Sequence, residues 1–380
     1  FNPGKIVATP PMDSFLRYEE NQTTREFDTI LDFSETMGIQ RTAEQCNGSG
    51  DCRKTEISGG TMCPSYMATL NEKDTTRARA NILREMLSHS DKANPFAHDE
   101  IKEVMDLCIS CKGCKSECPS NVDVAKLKQE WQYQYYKEHG IPFRSRLIGN
   151  FALGMKLASL IPWGYKLVFG NKLTSSLAKS IIGFAKDRSM PHISTITWEK
   201  WFKNNFKPGI KNAPIKTVYI FIDELLNFNE AEIGITTVKL LDRLGYAVKF
   251  IPHAESGRSF LSKGMLEEAR RLAKKNVSIY KDIITADTPL IGIESSAILT
   301  FRDEYPDLLR GEEKENARRI AADTFMIEEF LAKELDAGLI DLKLFKENKA
   351  LIKLHGHCQQ KALSSLVPVK KILTRLGNNE

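Results

Sequence analysis

Several common signatures are missing from this sequence. It has no Gly-rich phosphate cradle of the P-loop kind, and Gly59-Gly60 is too short to serve as one. It offers no Ser-His-Asp arrangement. Its first residues, Phe1-Asn2-Pro3-Gly4-Lys5, lack the basic start and apolar stretch of a signal peptide. It lacks an initiator Met and starts inside a motif, so a fragment of a longer polypeptide is expected. Charge of one sign is not in excess: 54 basic against 49 acidic residues give +5, too balanced for a nucleic-acid binder. The 42% hydrophobic and 27% charged content excludes disorder, collagen and a disulfide miniprotein. A chain of 380 residues has room for two or three domains.

Cysteines are few but crowded. Seven of the eight lie between Cys46 and Cys118, and only Cys358 stands apart. Secreted frameworks spread even sets of cysteines, so this crowding points to a reducing compartment and to metal. Cys108-Ile-Ser-Cys111-Lys-Gly-Cys114-Lys-Ser-Glu-Cys118-Pro119 has the C-x2-C-x2-C-x3-C-P spacing of two-cluster ferredoxins. Three thiolates at that beat each reach a different iron of one cubane, and the fourth serves another cluster. Soft sulfur donors suit iron–sulfur or zinc, but zinc sites normally use two separated C-x2-C pairs.

The earlier run is irregular. Cys46 and Cys52 are six apart, with Ser49 at the middle ligand position, and Cys63-Pro64 repeats the Cys-Pro step. In the crossed ferredoxin arrangement, Cys63, Cys108, Cys111 and Cys114 hold one [4Fe–4S] cluster. Cys46, Cys52 and Cys118 then hold the other with three thiolates. That site is either a [3Fe–4S] cluster or a [4Fe–4S] cluster completed by Ser49 or another donor. The bland alternative is that the first run binds nothing and its cysteines are small buried residues.

Elements follow from periodicity and caps. A helix capped by Asp74 or Thr75 is expected through Ser88, with Ala78, Ile82 and Met86 on one face and Leu83 and Leu87 beside it. Another starts at Ser120–Asp123, passes Val124, Leu127, Trp131 and Tyr135, and stops at Gly140. Beyond Pro214 the pattern turns α/β. Strands are expected at Thr217–Ile222, Ala247–Ile251, Leu290–Ile293 and Ala350–Leu354. Helices are expected through Ile233–Leu244, Leu261–Lys275 and Lys314–Leu335. Alternation of this kind makes a parallel sheet, whose functional residues collect at strand carboxyl ends. Glu294, the Glu255–Arg258 loop and His355–Cys358 all follow such ends.

Between these parts, residues 139–186 contain no Asp or Glu and seven Lys or Arg among many apolar residues. Leu147–Gly170 is long enough to span a bilayer, but Lys156, Pro162 and Lys166 interrupt it. Either it rests on anionic lipid, or it forms a helical hairpin packed on the protein or a partner, the reading given more weight. Arg53, Lys54, Lys112 and Lys115 near the ligands either raise a cluster potential or are solvated surface.

Three segments carry a family resemblance: Cys46-Asn-Gly-Ser-Gly-Asp-Cys52-Arg-Lys, Gly60-Thr-Met-Cys63-Pro-Ser-Tyr-Met-Ala-Thr and Thr75-Thr-Arg77-Ala-Arg79-Ala-Asn. They resemble the C-terminal iron–sulfur half of large bacterial FAD-linked oxidases, the glycolate-oxidase-like, D-lactate and D-2-hydroxyglutarate dehydrogenases. Phe1-Asn2-Pro3-Gly4-Lys5-Ile6 looks like the end of their FAD-linked domain. His355-Gly-His357-Cys358 resembles a ligand segment of their cysteine-rich (CCG-like) reductase domain, which is shared with one of the glycerol-3-phosphate dehydrogenase subunits. The chain departs from that pattern. Glu255-Ser256-Gly257-Arg258 stands where Cys-Cys-Gly-Arg is expected, and Glu294-Ser295-Ser296-Ala297 where Glu-Pro-Ser-Cys is expected.

The resemblance implies an α+β multidomain chain, an α-helical ferredoxin-like domain followed by an α/β parallel-sheet domain. Its divisions are a FAD-domain remnant at 1–30, the two-cluster domain at 31–138, a basic apolar helical connector at 139–213 and an incomplete CCG-like domain at 214–380. It implies an oxidoreductase part that relays single electrons from reduced flavin to a quinone or other carrier. FAD and the substrate-oxidising residues lie in the missing N-terminal part, so no catalytic residue is expected here. The FAD domain belongs to the same polypeptide or to another subunit. The expected place is cytoplasmic, with or without peripheral contact to the cytoplasmic membrane face, and no nucleic acid is expected. His355, His357 and Cys358 are tentative ligands. Two other readings stay open: a structural iron–sulfur or zinc module without redox role, and a reductase acting at Cys358.

Overall fold

The computed structural model describes residues 3–14, 23–209, 213–346 and 351–375. Helices dominate up to about residue 205, and a four-stranded sheet with helices follows. The sheet has strands β1 (Thr217–Phe221), β2 (Ala247–Lys249), β3 (Leu290–Gly292) and β4 (Thr324–Met326). Its order is β2-β1-β3-β4, and every pair is parallel. Thr217 pairs with Ala247, Tyr219 with Leu290, and Leu290 with Thr324.

Two helices near the cysteines form where their caps put them. Thr75 accepts the Ala78 N–H and starts Thr76–His89. Asp123 accepts the Lys126 N–H and starts Val124–His139, which ends at Gly140 with φ 71°. In the first helix the inward stripe is Thr76, Arg79, Ala80, Leu83 and Leu87. The expected face of Ala78, Ile82 and Met86 is only half-buried. Arg79 lies on that inward stripe, its guanidinium buried with the apolar residues.

Beyond the connector, three of the four expected strands appear. Of the fourth, position 350 lies outside the described residues and Leu351–Leu354 are irregular. The remaining strand instead interrupts the helix expected over Lys314–Leu335. Gly311–Ala322 stops, Thr324–Met326 pairs with β3, and Ile327–Asp336 resumes. The helix expected over Leu261–Lys275 is likewise two, Arg258–Leu261 and Leu266–Tyr280.

Strand alternation divides the core. Val218, Ile220 and Ile222 face one apolar cluster with Trp198, Val238 and Tyr246. Phe221 and Leu290 face the other, which runs on without a break through Leu261, Leu83, Leu127 and the buried cysteines. The sheet thus stands on the cysteine-bearing helices. At the contact, Lys112 and Lys115 both pair with Asp303, and Lys112 lies 3.0 Å from Glu304.

The connector forms four short helices, Phe143–Gly149, Phe151–Leu160, Pro162–Phe169 and Lys172–Ile182. Pro162 ends one and begins the next, since Pro is tolerated at a first helical position. Ala152 and Met155 face inward, while Leu153, Leu157, Trp163 and Leu177 are exposed. Among the described residues no helix is long and apolar enough to cross a membrane.

Candidate iron–sulfur centre

Two loops meet to build the site. The first ends at Cys63, the residue before the helix Pro64–Thr69. The second carries Cys108, Cys111 and Cys114. Ser110 and Lys112 both take positive φ there, 53° and 61°. Left-handed non-glycine residues are uncommon and cost roughly 1–2 kcal/mol each. These two curl the segment so that its cysteines share one side.

Gly113 lets the loops touch. A Cβ there would stand 3.1 Å from Thr61 Cγ2 and 3.3 Å from the Met62 nitrogen. Glu117 then clamps the contact. Its carboxylate accepts the N–H groups of Thr61 at 2.6 Å and Met62 at 3.1 Å, and the Lys54 ammonium at 2.9 Å. Burial pushes the Glu117 carboxyl up, but Lys54 and the two amides outweigh it and hold it below the ordinary range.

The loops close around one small cavity. Cys63, Cys108, Cys111 and Cys114 all line it, together with Arg79 and Lys112. Burial pushes the Cys111 thiol up to about 11 and Cys114 well above its ordinary value, and neighbouring cysteines add to both shifts. Unliganded, these thiols stay protonated. A bound cation reverses that balance, because thiolate is the form that ligates. The donor set fits a thiolate-bound cluster. Four cysteines line one space, and a buried cation at hydrogen-bond distance of a sulfur is placed to stabilise negative charge there.

That cation is Arg79, which the spacing of the cysteines did not reveal. Its Nη1 lies 3.3 Å from Cys63 Sγ, its Nη2 2.9 Å from Ser65 Oγ and its Nε 3.0 Å from the Val104 carbonyl. Asp74 balances it at 4.0 Å. Lys128 also reaches in, donating to the carbonyls of Met105 and Cys108. Of the basic residues noted from sequence, Lys112 is neither solvated surface nor free. It is buried against Asp303 and Glu304. Arg53 is half exposed beside Glu72.

The second set is looser. Cys52 is buried near Cys46 and Cys63, and burial first, then those two sulfurs, push its thiol up. Cys118 closes the short helix Gly113–Glu117 and is half-buried. Ser49 is exposed, on a turn where its N–H donates to Asn47. Among the described residues, no three His, Cys, Asp or Glu side chains close around a point as the ligands of one ion do. A cubane, whose ligands bind separate irons, needs a wider circle.

Cys358 begins the helix Cys358–Leu363, which packs on Gly113–Glu117. It is close enough to Cys111 to raise that thiol. His355 and His357 are exposed and do not join it. His357 instead caps the helix, its Nδ1 accepting the Gln359 N–H at 3.2 Å, and lies 3.8 Å from Glu294. Ser256 and Ala297, which stand where the resemblance expects cysteines, lie together at a second cavity.

The cysteine-bearing helical region is an iron–sulfur electron-transfer domain. Residues 45–123 match the family described as the 4Fe-4S dicluster domain, which implies two clusters. The chain is related to the D-2-hydroxyglutarate dehydrogenases. It is 24% identical over 357 residues to that of Escherichia coli K12, covering 82% of this chain and 34% of the relative. It is 27% identical over 130 residues to one of the anaerobic glycerol-3-phosphate dehydrogenase subunits of the same organism, 33% of this chain and 32% of that one. It is 30% identical over 122 residues to lactate utilization protein A of Geobacillus thermodenitrificans, 31% of this chain and 48% of that one. The chain spans about a third of the length of the dehydrogenases it matches. No solved structure matches it.

Proposed function

We propose that this chain is the electron-relay portion of a FAD-linked D-2-hydroxy-acid dehydrogenase, taking single electrons from a reduced flavin and passing them to a quinone or another carrier. The observation that carries this is the shared cavity of Cys63, Cys108, Cys111 and Cys114. A thiolate-bound iron–sulfur cluster supplies one-electron redox chemistry, at a potential set by hydrogen bonds to sulfur and by burial. In this reading those four residues hold the first cluster. Cys46, Cys52 and Cys118 hold the second, either as a three-iron cluster or as a four-iron cluster completed by Ser49 or another donor.

The chain's own groups tune and protect the site. Arg79 donates to the Cys63 sulfur, which favours extra electron density there. Met62, buried beside Cys63, helps keep water off the sulfurs. The units in this reading are 31–138 for the clusters, 139–213 for the connector and 214–380 for the sheet, with 1–30 the end of the flavin domain. The flavin domain belongs to the same polypeptide or to a partner protein. The connector's exposed apolar and basic face suits contact with anionic lipid.

The test is iron and acid-labile sulfide content on anaerobically purified chain, with electron paramagnetic resonance before and after dithionite. About seven to eight irons with matching sulfide support the two-cluster relay. Zinc without sulfide would overturn it. In a Cys114→Ser variant, iron should fall by about four per chain while the other signal persists.

A further inference from the structure

The second cavity is an open cleft of about 430 Å³ between the connector and the sheet. It sits over the carboxyl ends of β1 and β3. In the order β2-β1-β3-β4 the chain leaves β1 toward one side for β2 and returns on the other for β3, so this is the crevice where open α/β sheets bind ligands. Asp223 and Glu224 follow β1, Glu294 follows β3, and Ser256 and Arg258 come from the loop after β2. The opposite wall is apolar and belongs to the connector, with Ile148, Phe151, Met155 and Phe184.

The lining chooses the ligand's charge. The three carboxylates face one guanidinium, so an anion is disfavoured. They are also held by their own neighbours. Asp223 accepts the Leu225 and Leu226 N–H groups at 2.8 and 3.2 Å, Glu224 accepts the Ser256 hydroxyl at 2.9 Å, and Glu294 accepts the Ser296 hydroxyl at 2.7 Å. Arg258 commits Nη1 to Glu304, which leaves further N–H groups to meet an oxygen acceptor. The fitting ligand is a neutral molecule with an apolar body and a carbonyl oxygen.

Position names its role. Arg258 lines this cavity, and Lys112 lines the cysteine cavity. Both pair with the same Glu304 carboxylate. Three side chains therefore separate the two spaces. The connector helices that wall the cavity expose apolar residues on their other side, so a lipid-soluble ligand meets them first.

We infer that the cavity between residues 147–190 and the carboxyl ends of β1 and β3 is the binding site for a quinone-class electron acceptor, its ring carbonyl toward Arg258 and its apolar tail along the connector. The inference rests on the electron-relay reading above. Reduction of a quinone to its quinol takes two electrons and two protons. The electrons come singly from the hydroxy acid by way of the flavin donor and the relay, and the protons from water. Burial, with Glu224 and Glu294 nearby, pushes the Asp223 carboxyl up to about 8, so a protonated acid stands at the cavity near neutral pH.

Gly154 supplies a clean test. It lines the cavity within the helix Phe151–Leu160, and a Cβ there meets no atom within 4 Å. Gly154→Phe adds an aromatic ring at a cavity-lining position whose Cβ has open space around it, and replacing a helical Gly costs the helix nothing. Decyl-ubiquinone binding is measured by equilibrium dialysis on the full chain, with decyl alcohol as the tail alone. Wild type should bind the quinone and Gly154→Ala should match it, whereas Gly154→Phe should bind at least tenfold more weakly. Iron, sulfide and dithionite-reduced spectra should be the same in all three. Absent quinone binding, equal binding by Gly154→Phe, or equal binding of decyl alcohol would each overturn the site while the spectra stay intact. Loss of the spectra in wild type would instead sink the relay reading.

Discussion

The cavity at Cys63 and the cavity at Asp223 are built by one device, loops that close onto helix starts, yet they hold opposite chemistry. Cys63 precedes one helix, and Asp223, Glu294 and Gly257 precede others. In the first, the inward groups are soft thiols beside a buried guanidinium. In the second they are carboxylates and serines beside Arg258, with Ser256 and Ala297 at positions where the resemblance expects cysteine. Helix starts offer N–H groups to whatever negative atom sits before them. The fold thus supplies the same polar frame twice, and side-chain identity decides whether metal or an organic molecule suits it.

The sharpest way to break the comparison is to cut the link between the regions. Asp303 meets Lys112 and Lys115 from across the interface. Burial works against its charge, but the two lysines outweigh that and hold its carboxyl well below the ordinary range. Asp303→Asn leaves the buried Lys112 with only Glu304, a carboxylate it already shares with Arg258, and takes the close carboxylate from Lys115. Removing one member of a buried pair costs about 3–5 kcal/mol. Urea unfolding should show a loss of that size, and a loss under about 1 kcal/mol would mean the regions do not depend on this contact.

This link also marks where the sequence stopped being legible. The cysteine spacing grouped the four residues that line one cavity, and the caps placed the adjoining helices, because spacing and caps are local. Lys112 was visible only as a charge near a motif. Its burial depends on Asp303, 191 residues away, and no periodicity carries that. Strand β4 was hidden for a related reason. Thr324-Phe325-Met326 lies between two strongly helical stretches, and three residues show no period of their own. Its pairing with β3 decides it. The carboxylates of the second cavity had one signal, their place just after strand-like runs. The apolar wall had none, because its residues come from a connector whose docking face could not be told from its exposed one.

Titration separates the two cavities next. Asp223 is a carboxyl whose folded pKa, about 8, lies above its unfolded value. Burial is the largest cause, and Glu224 and Glu294 add to it, with Arg258 the cation in the same cavity. The folded state therefore holds a proton that the unfolded state has released between about 4 and about 8. Stability falls as pH rises through that window, by at most about 1.4 kcal/mol per pH unit for one group. Asp223→Asn keeps an oxygen for the helix cap and removes the titration. Relative to wild type it should gain about 3–4 kcal/mol in unfolding free energy as pH rises from about 5 to about 8. Parallel pH profiles would show that Asp223 is ionised in the fold.

The smallest effect on stability is expected on the outer side of the connector, where the inner and outer faces of one helix differ in kind. Met155 is buried against the sheet region, with Asn229 at 3.4 Å from its sulfur, whereas Leu153 and Leu157 are 52% and 58% exposed. An exposed leucine has little burial to lose, so Leu153→Gln and Leu157→Gln should each change unfolding free energy by no more than about 0.5 kcal/mol. The same changes remove apolar area from a face whose charge is all positive between residues 139 and 186. If that face rests on anionic lipid, the double variant should float with phosphatidylglycerol vesicles several-fold less than wild type, and raised salt should weaken both. Equal flotation of the two would show that the exposed leucines do not enter lipid, and would leave the buried face of the connector as the one with work to do.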